Sequence, residues 1–157
     1  MRKVQQIEKF IINNENKIKI SSKEIKKGDI FLALKGKNFH GSQFIKESID
    51  NGAVFCITEK KIKIKKNNEK ILLVKNLNKF LINLAKKKRQ LFKGKVVGIT
   101  GSAGKTTLKE TLSYFLKIKL KISYSYKSYN NFLGIIISIL NINLDSKFAI
   151  FELGTNN

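Results

Sequence analysis

Several residue types are absent or scarce in this chain, and each absence excludes a class of protein. Proline and tryptophan are missing and there is one cysteine among 157 residues, so an intrachain disulfide, and with it a disulfide scaffold, is excluded. The longest apolar run, 132–140, is interrupted by Gly134 and Ser138 and is shorter than the ~20 residues of a membrane span. The amino terminus has no signal-peptide stretch. Because 42% of the residues are hydrophobic, we expect a folded chain with a hydrophobic core. Without a span or a signal peptide, we expect a cytoplasmic protein without membrane insertion, and we expect it to be a monomer.

Acidic residues are also scarce. The 32 Lys+Arg face only 11 Asp+Glu, which gives a net charge of +21. The basic residues are 30 Lys and only 2 Arg, beside 23 Ile and 16 Asn, a bias typical of A/T-rich codons. A nucleic-acid binder favours Arg and a clustered basic patch, whereas these lysines are scattered. We therefore expect no nucleic-acid partner, and a Lys-rich nucleic-acid-binding module stays an alternative that salt-dependent binding to unrelated DNA would support.

The hydrophobic pattern predicts an α/β protein in two pieces. Residues 1–76 form a small α/β domain, 77–92 a connecting amphipathic helix, and 93–157 a second domain in which strands and helices alternate. Continuous apolar strands separated by helices indicate parallel sheets. The helix 105–117 is expected to turn Leu108, Leu112, Phe115 and Leu116 toward the core. The predicted strands are 30–34, 53–58, 71–74, 96–100, 121–126 and 148–151, and the other predicted helices lie in 4–13, through 44–49 and in 132–141.

A glycine-rich loop in the second domain carries the clearest chemistry. A strand runs into small residues and then into Gly-Lys-Thr-Thr at the start of a helix, the arrangement in which backbone N–H groups surround phosphate oxygens. Lys105 would neutralise the outer phosphates and the Thr106 hydroxyl would ligate Mg²⁺. The strict phosphate-loop pattern needs Gly at 99, where this chain has Ile99 between Gly98 and Gly101. The predicted nucleoside-triphosphate-binding residues are Thr100, Gly101, Ser102, Ala103, Gly104, Lys105, Thr106 and Thr107.

A carboxylate is predicted beside this loop. Glu152 ends the apolar strand 148–151, and ligands of open α/β sheets lie beyond the carboxyl ends of the strands. Glu152 would therefore join Thr106 as a metal ligand. Lys105 and Glu152 are the predicted catalytic residues, because the ammonium and the Mg²⁺ held by Glu152 offset charge on a transferred phosphoryl group.

Several ordered segments resemble the Mur ligases. The loop 100–107, followed by Lys109 and Glu110, is similar to the ATP loop of these enzymes, in the form found in the branch that adds D-alanyl-D-alanine. The segments that share the resemblance are Asn130-Asn131-Phe132-Leu133-Gly134, Glu152-Leu153-Gly154-Thr155-Asn156, Ser21-Ser22-Lys23, 27–36 and 40–44.

The resemblance implies an ATP- and Mg²⁺-dependent ligase of peptidoglycan precursor synthesis. It implies a small α/β nucleotide-substrate domain followed by the start of a phosphate-loop, parallel-sheet ATP domain. The substrates would be UDP-N-acetylmuramoyl-tripeptide and D-alanyl-D-alanine, joined through an acyl phosphate. The substrate-binding residues that it implies are Ser22, Lys23, Lys35, Gly36, Gly41, Asn130 and Asn131.

The resemblance also implies an amino-terminal portion of such an enzyme. The family continues beyond the third strand of the second domain, so we expect an incomplete copy that does not form the amide bond alone. Three alternatives stay open: a Mur ligase that adds a different amino acid, an ATP-binding phosphate-loop module without ligase activity, and a regulatory switch such as a small GTPase. The Asn-Lys-x-Asp and Asp-x-x-Gly segments of a GTPase do not occur in the sequence.

Overall fold

The chain folds into two compact units. The computed structural model describes residues 2–13, 17–36, 38–63, 68–126 and 129–154. One unit comprises Met1–Ile11 with Asn16–Ile82, and the other Ile12–Glu15 with Asn83–Asn157. The division of the chain into functional domains at 76 and 93 stays a prediction. Among the described helices, none combines the length and the apolar character that crossing a membrane requires.

The first unit is built on a four-stranded parallel sheet. Its strands follow one another in chain order across the sheet, and every residue of 30–33 is buried, as expected for a parallel strand covered on both faces. Gly52 ends the second helix with φ +104°, the positive value that favours glycine at a helix end. The elements are α1 (Arg2–Asn13), β1 (Ile18–Lys19), β2 (Ile30–Ala33), α2 (Ile45–Asp50), β3 (Phe55–Thr58) and β4 (Ile71–Leu73), with short 3-10 turns at Ser22–Glu24, Gly41–Phe44 and Asn68–Lys70.

The second unit is a three-stranded parallel sheet with helical connections. The helix α3 (Leu77–Leu91) contains the boundary between the units. The elements that follow are β5 (Lys95–Ile99), α4 (Lys105–Lys117), β6 (Ile122–Tyr124), α5 (Phe132–Leu140) and β7 (Phe148–Glu152). The strand order is β5-β7-β6, so the last strand in sequence lies in the centre and its carboxyl end faces the loop that follows β5. The predicted α/β class with parallel sheets is confirmed.

The inward face of α4 differs from the prediction. Leu108 and Phe115 are 56% and 63% exposed, so the expectation that both face the core was wrong. The buried residues of this helix are Lys109 and Ser113, which are four positions apart and therefore share one face. The apolar period suggested a different face because it treated Lys109 as a solvent residue, whereas its ammonium has a carboxylate partner, Glu152, at the sheet.

Ser113 gives a stability prediction. Its hydroxyl is buried, and in the described part of the chain it has no hydrogen-bond partner. A buried hydroxyl without a partner costs free energy, so Ser113→Ala should leave the free energy of unfolding unchanged or raise it by up to ~1 kcal/mol. Urea unfolding measures this. The matched control is Ser138→Ala, whose hydroxyl donates to the Gly134 carbonyl at 2.8 Å and whose loss should destabilise. A larger loss for Ser113→Ala than for the control would contradict the expectation.

Candidate functional site

The loop between β5 and α4 presents free backbone donors. Gly101 and Gly104 have φ of +141° and +74°, values that residues with a side chain rarely adopt. The backbone turns at these two glycines and so passes from the strand into the helix. Gly104 is the residue before the first helical position, and in the described part of the chain no side-chain hydrogen bond caps the start of α4. The N–H groups of its first turn are thus available to an anion, and the helix dipole favours negative charge there.

Lys105 lies over the same loop. Its Nζ donates to the Gly101 carbonyl at 2.5 Å, so the side chain is folded back onto the turn instead of extending into solvent. The ammonium is therefore held beside the free amides of the loop. A group of this kind supplies the positive charge that a terminal phosphate needs.

Glu152 is the centre of a hydrogen-bonded cluster. It is the last residue of the central strand β7 and is 2% exposed. Its Oε2 accepts from Thr106 Oγ1 at 2.7 Å, and its Oε1 accepts from Asn130 Nδ2 at 2.9 Å. Its backbone N–H donates to Ser125 Oγ at 3.3 Å. The structure therefore brings Thr106, Asn130 and Glu152 together, although Thr106 and Glu152 are 46 positions apart.

The charge of Glu152 is set by opposing effects. Burial alone would raise the pKa of this carboxyl group, since a low-dielectric surrounding disfavours the ionised form. The hydrogen bonds from Thr106 and Asn130 and the ammonium groups of Lys109 and Lys105 outweigh burial and lower the pKa of Glu152 below its ordinary value. Glu152 is consequently a carboxylate at neutral pH, poised to bind a cation.

Backbone hydrogen bonds hold the cluster together. The Leu153 N–H donates to the Ile99 carbonyl and the Gly154 N–H to the Asn130 carbonyl, each at 2.8 Å. A Cβ added to Gly154 would lie 2.8 Å from that same Asn130 oxygen, so glycine is needed for the close approach. Ile99 is paired with Glu152 in the sheet and is buried, which explains why an apolar strand residue occupies the position where the strict loop pattern has glycine.

The two predicted asparagines play different parts. Asn130 contacts the Glu152 carboxylate, whereas Asn131 caps α5, with its Oδ1 accepting from the Gly134 N–H at 2.8 Å. A cap of this kind stabilises the start of a helix. Sequence resemblance had given both asparagines one role, orienting substrate, and that role stays a prediction for each.

The other predicted substrate residues lie at one edge of the first sheet. Ser22 and Lys23 follow β1, and Lys35, Gly36 and Gly41 follow β2. Because β1 and β2 are adjacent and parallel, their carboxyl ends meet at the same edge, where α/β sheets bind ligands.

Backbone contacts shape this edge. Gly41 donates its N–H to the Leu34 carbonyl at 2.7 Å, and an added Cβ there would lie 3.0 Å from Ala33 and Leu34 backbone atoms. Ser22 is buried, with its carbonyl accepting from Asn51 Nδ2 at 3.1 Å. Lys23 and Lys35 are exposed.

The donor set beside the loop suits Mg²⁺. The described residues contain no group of three or more His, Cys, Asp and Glu side chains arranged for a metal. Mg²⁺, however, is commonly held by one or two protein oxygens together with substrate phosphates and waters. Thr106 Oγ1 and Glu152 Oε2 supply two such oxygens next to the anion-binding turn. The two residues predicted as metal ligands thus fit this ion.

Two residues of the cluster were not predicted to contribute to the site. Lys109 is fully buried and its Nζ lies 4.0 Å from Glu152 Oε2, while the hydroxyl of Ser125 supports the Glu152 backbone. The signal for Lys109 was its spacing of four from Lys105, which puts both lysines on one helix face. No sequence signal pointed to Ser125.

A glycine-rich turn between a parallel strand and a helix, with a carboxylate at the end of the neighbouring strand, defines a nucleotide-binding unit of the phosphate-loop class. The family described as "Mur ligase family, catalytic domain" matches residues 16–89. The UDP-N-acetylmuramoyl-tripeptide–D-alanyl-D-alanine ligase of Rickettsia prowazekii is 41% identical over 143 residues, which are 91% of this chain and 31% of that enzyme. The corresponding ligase of Synechocystis is 31% identical over 88% of this chain and 30% of its own length.

Solved structures agree with these relatives. The MurF ligase from Thermotoga maritima in complex with ADP is similar with a TM-score of 0.66 and 38% identity, covering 90% of this chain and 32% of that one. A MurF structure from Acinetobacter baumannii has a TM-score of 0.69 and 33% identity over 88% of this chain and 30% of its own. Over about nine tenths of its own length the chain is similar to Mur ligases. It spans about a third of the length of the relatives it matches.

Proposed function

We infer that this chain carries the ATP site and the nucleotide-substrate unit of a ligase that joins D-alanyl-D-alanine to UDP-N-acetylmuramoyl-tripeptide. The observation that carries the proposal is the cluster of Thr106, Asn130 and Glu152 at the start of α4, next to the free amides of the loop. It occurs in a chain whose relatives are named as ligases of this substrate pair.

The chemistry assigned to the cluster is the handling of negative charge. In the proposed reaction the tripeptide carboxylate attacks the γ-phosphate of ATP, ADP leaves, and the dipeptide amine displaces phosphate from the resulting acyl phosphate. Lys105 and the loop amides bind the phosphates and offset the charge that develops on the transferred group. Thr106 and Glu152 would hold Mg²⁺, which supplies further positive charge to the phosphate oxygens. Asn130 fixes the direction of the Glu152 carboxylate.

The first unit would hold the uridine nucleotide. Its proposed residues Ser22, Lys35, Gly36 and Gly41 follow adjacent parallel strands. A Cβ added to Gly41 would lie 3.0 Å from backbone atoms of Ala33 and Leu34, so a side chain there would require the backbone to shift. The exposed ammonium groups of Lys23 and Lys35 are suited to diphosphate charge.

A Mur ligase for a different amino acid is the second candidate. The diaminopimelate-adding ligase of Aquifex aeolicus is 36% identical, but over 104 residues and 62% of this chain. The longer matches to D-alanyl-D-alanine ligases, which cover 91% and 88% of it, favour the first candidate.

Amide chemical shifts of the isotope-labelled chain test both halves of the proposal. ATP with Mg²⁺ should move signals within 100–107 and leave those of Ser22 and Lys35 unchanged. UDP-N-acetylmuramoyl-tripeptide should move Ser22 and Lys35 and leave the loop unchanged. Uridine diphosphate and cytidine diphosphate are the matched pair of controls for the second ligand, because they share the ribose diphosphate and differ only in the base. The absence of any shift at Ser22 and Lys35 with millimolar tripeptide ligand would contradict the substrate assignment.

A further inference from the structure

Lys109 is a charged residue enclosed by protein. It lies one helical turn after Lys105 and its side chain is 0% exposed. An ammonium group is retained in the interior only where carboxylates compensate the loss of hydration. Two carboxylates are near its Nζ: Glu110 Oε1 at 3.2 Å and Glu152 Oε2 at 4.0 Å.

The two carboxylates are not equivalent. The Glu110 side chain is 55% exposed, and exposed ion pairs contribute little because water and salt screen them. The Glu152 side chain is 3% exposed, so its attraction to Lys109 is far less screened in spite of the longer distance. Glu152 therefore contributes more than Glu110 to stabilising the buried Lys109 ammonium.

Lys109 also restrains the direction of the Glu152 carboxylate. Oε1 is held by Asn130, and Oε2 lies between the Thr106 hydroxyl and the Lys109 ammonium. We propose that Lys109 is a positioning residue of the nucleotide site: a built-in counter-cation that keeps Oε2 of Glu152 turned toward Thr106 and opposes the binding of Mg²⁺ to that pair. This inference rests on the proposed function, since it concerns the cation of that site.

A counter-cation and a lysine that only fills space respond differently to Mg²⁺. A lysine that only fills space stabilises the protein equally with and without Mg²⁺. A counter-cation instead competes with Mg²⁺ for the same carboxylate. Its removal should leave the Glu152 charge less compensated in the absence of metal, with Thr106 and Asn130 still bonded to it, and more attractive to metal. The free energy of unfolding of a variant without the Lys109 charge should therefore fall in the absence of Mg²⁺, and Mg²⁺ should restore it.

Lys109→Met tests this, because methionine keeps a long unbranched side chain and removes the charge. We expect the variant to unfold at lower urea in EDTA than the wild type and to gain more stability from Mg²⁺ and ADP. In the chain saturated with ADP, calorimetry should give Mg²⁺ binding tighter by about tenfold, the effect of removing one like charge near the ion. Unchanged or weaker Mg²⁺ binding in the folded variant would overturn the proposal.

Glu110→Gln is the matched control. It removes the exposed partner of Lys109 and leaves Glu152 in place. Mg²⁺ affinity should stay within about twofold of the wild type, because water and salt screen the 55% exposed Glu110 carboxylate. An equal gain in Mg²⁺ affinity from Glu110→Gln and Lys109→Met would show that Lys109 pairs mainly with Glu110, and it would overturn the proposal.

The double variant Lys109→Met/Glu152→Gln separates this inference from the proposed function. In EDTA without nucleotide, the losses of stability from the two single changes should not add, because each change breaks the same Lys109–Glu152 ion pair. Additive losses would overturn the pairing. If Lys109→Met alone does not fold, the double variant should fold, and failure of both would also overturn it. A wild-type chain that binds neither Mg²⁺ nor ADP would instead contradict the proposed function. The stabilities of the single and double variants in EDTA would still test the pairing of Lys109 with Glu152.

Discussion

Replacing Lys105 by alanine is expected to abolish ATP binding to this chain. The ammonium donates to the Gly101 carbonyl within the loop, where it supplies a positive charge beside the amides. Hydrogen bonds to charged groups contribute ~1.5–3 kcal/mol each, and phosphate left without the ammonium faces only backbone dipoles. Loss of two such contacts corresponds to an affinity at least ~100-fold weaker. Calorimetric titration with ATP and Mg²⁺ measures the change.

Lys119→Ala is the control for charge. Lys119 is exposed and follows the opposite end of α4, so the control removes the same unit charge from a chain of net +21 without touching the loop. Its ATP affinity should equal that of the wild type. If Lys105→Ala also binds ATP with wild-type affinity, the assignment of 100–107 as a phosphate loop is wrong. If Lys105→Ala and Lys119→Ala both bind ATP weakly, the chain attracts ATP through its overall positive charge.

The sequence predicted the elements of this fold better than their arrangement. Apolar runs indicated β2 and β7 because buried parallel strands are continuously hydrophobic. The two-residue strand Ile18–Lys19 was not predicted, since so short a segment has no period to detect. The order β5-β7-β6 depends on which surfaces pack together, and local pattern does not contain that information.

The position of the Glu152 carboxylate was predictable, because it depends only on the parallel arrangement of the strands. The carboxyl ends of parallel strands meet at one edge, so a carboxylate after 148–151 could be expected near the loop after β5. The partners that define its chemistry could not be expected in the same way. Lys109 is buried because its counter-charge arrives from a strand 43 positions later in the chain, and side-chain hydropathy assigned it to solvent.

Glu152→Gln should remove the dependence of ATP binding on Mg²⁺ and destabilise the chain. Glutamine has the same shape and can still accept from Thr106, but it carries no charge for the cation. The affinity of the variant for ATP should thus be the same in Mg²⁺ as in EDTA, whereas the wild type binds more tightly in Mg²⁺. Removing one member of a buried ion pair costs ~3–5 kcal/mol when the other is left alone. Because Lys109 retains Glu110 at 3.2 Å, we expect a smaller loss of ~2–3 kcal/mol in the free energy of unfolding.

The loss of stability caused by Glu152→Gln should decrease as the pH falls. The folded state lowers the pKa of Glu152 below its value of 4.5 in an unfolded chain, so the unfolded state takes up the proton first as the pH falls. The stabilisation by the carboxylate is therefore fully present above that pH and decreases as the pH falls toward the folded-state pKa. Urea unfolding in EDTA should show a constant difference between wild type and Glu152→Gln near neutral pH, and a shrinking one below about pH 4.5. Glu47→Gln, which changes an exposed carboxylate, should show almost no difference at any pH. A Glu152→Gln variant as stable as the wild type at pH 7 would show that Lys109 and Glu152 do not compensate each other, and a difference that grows in acid would show that the folded state raises the pKa of Glu152.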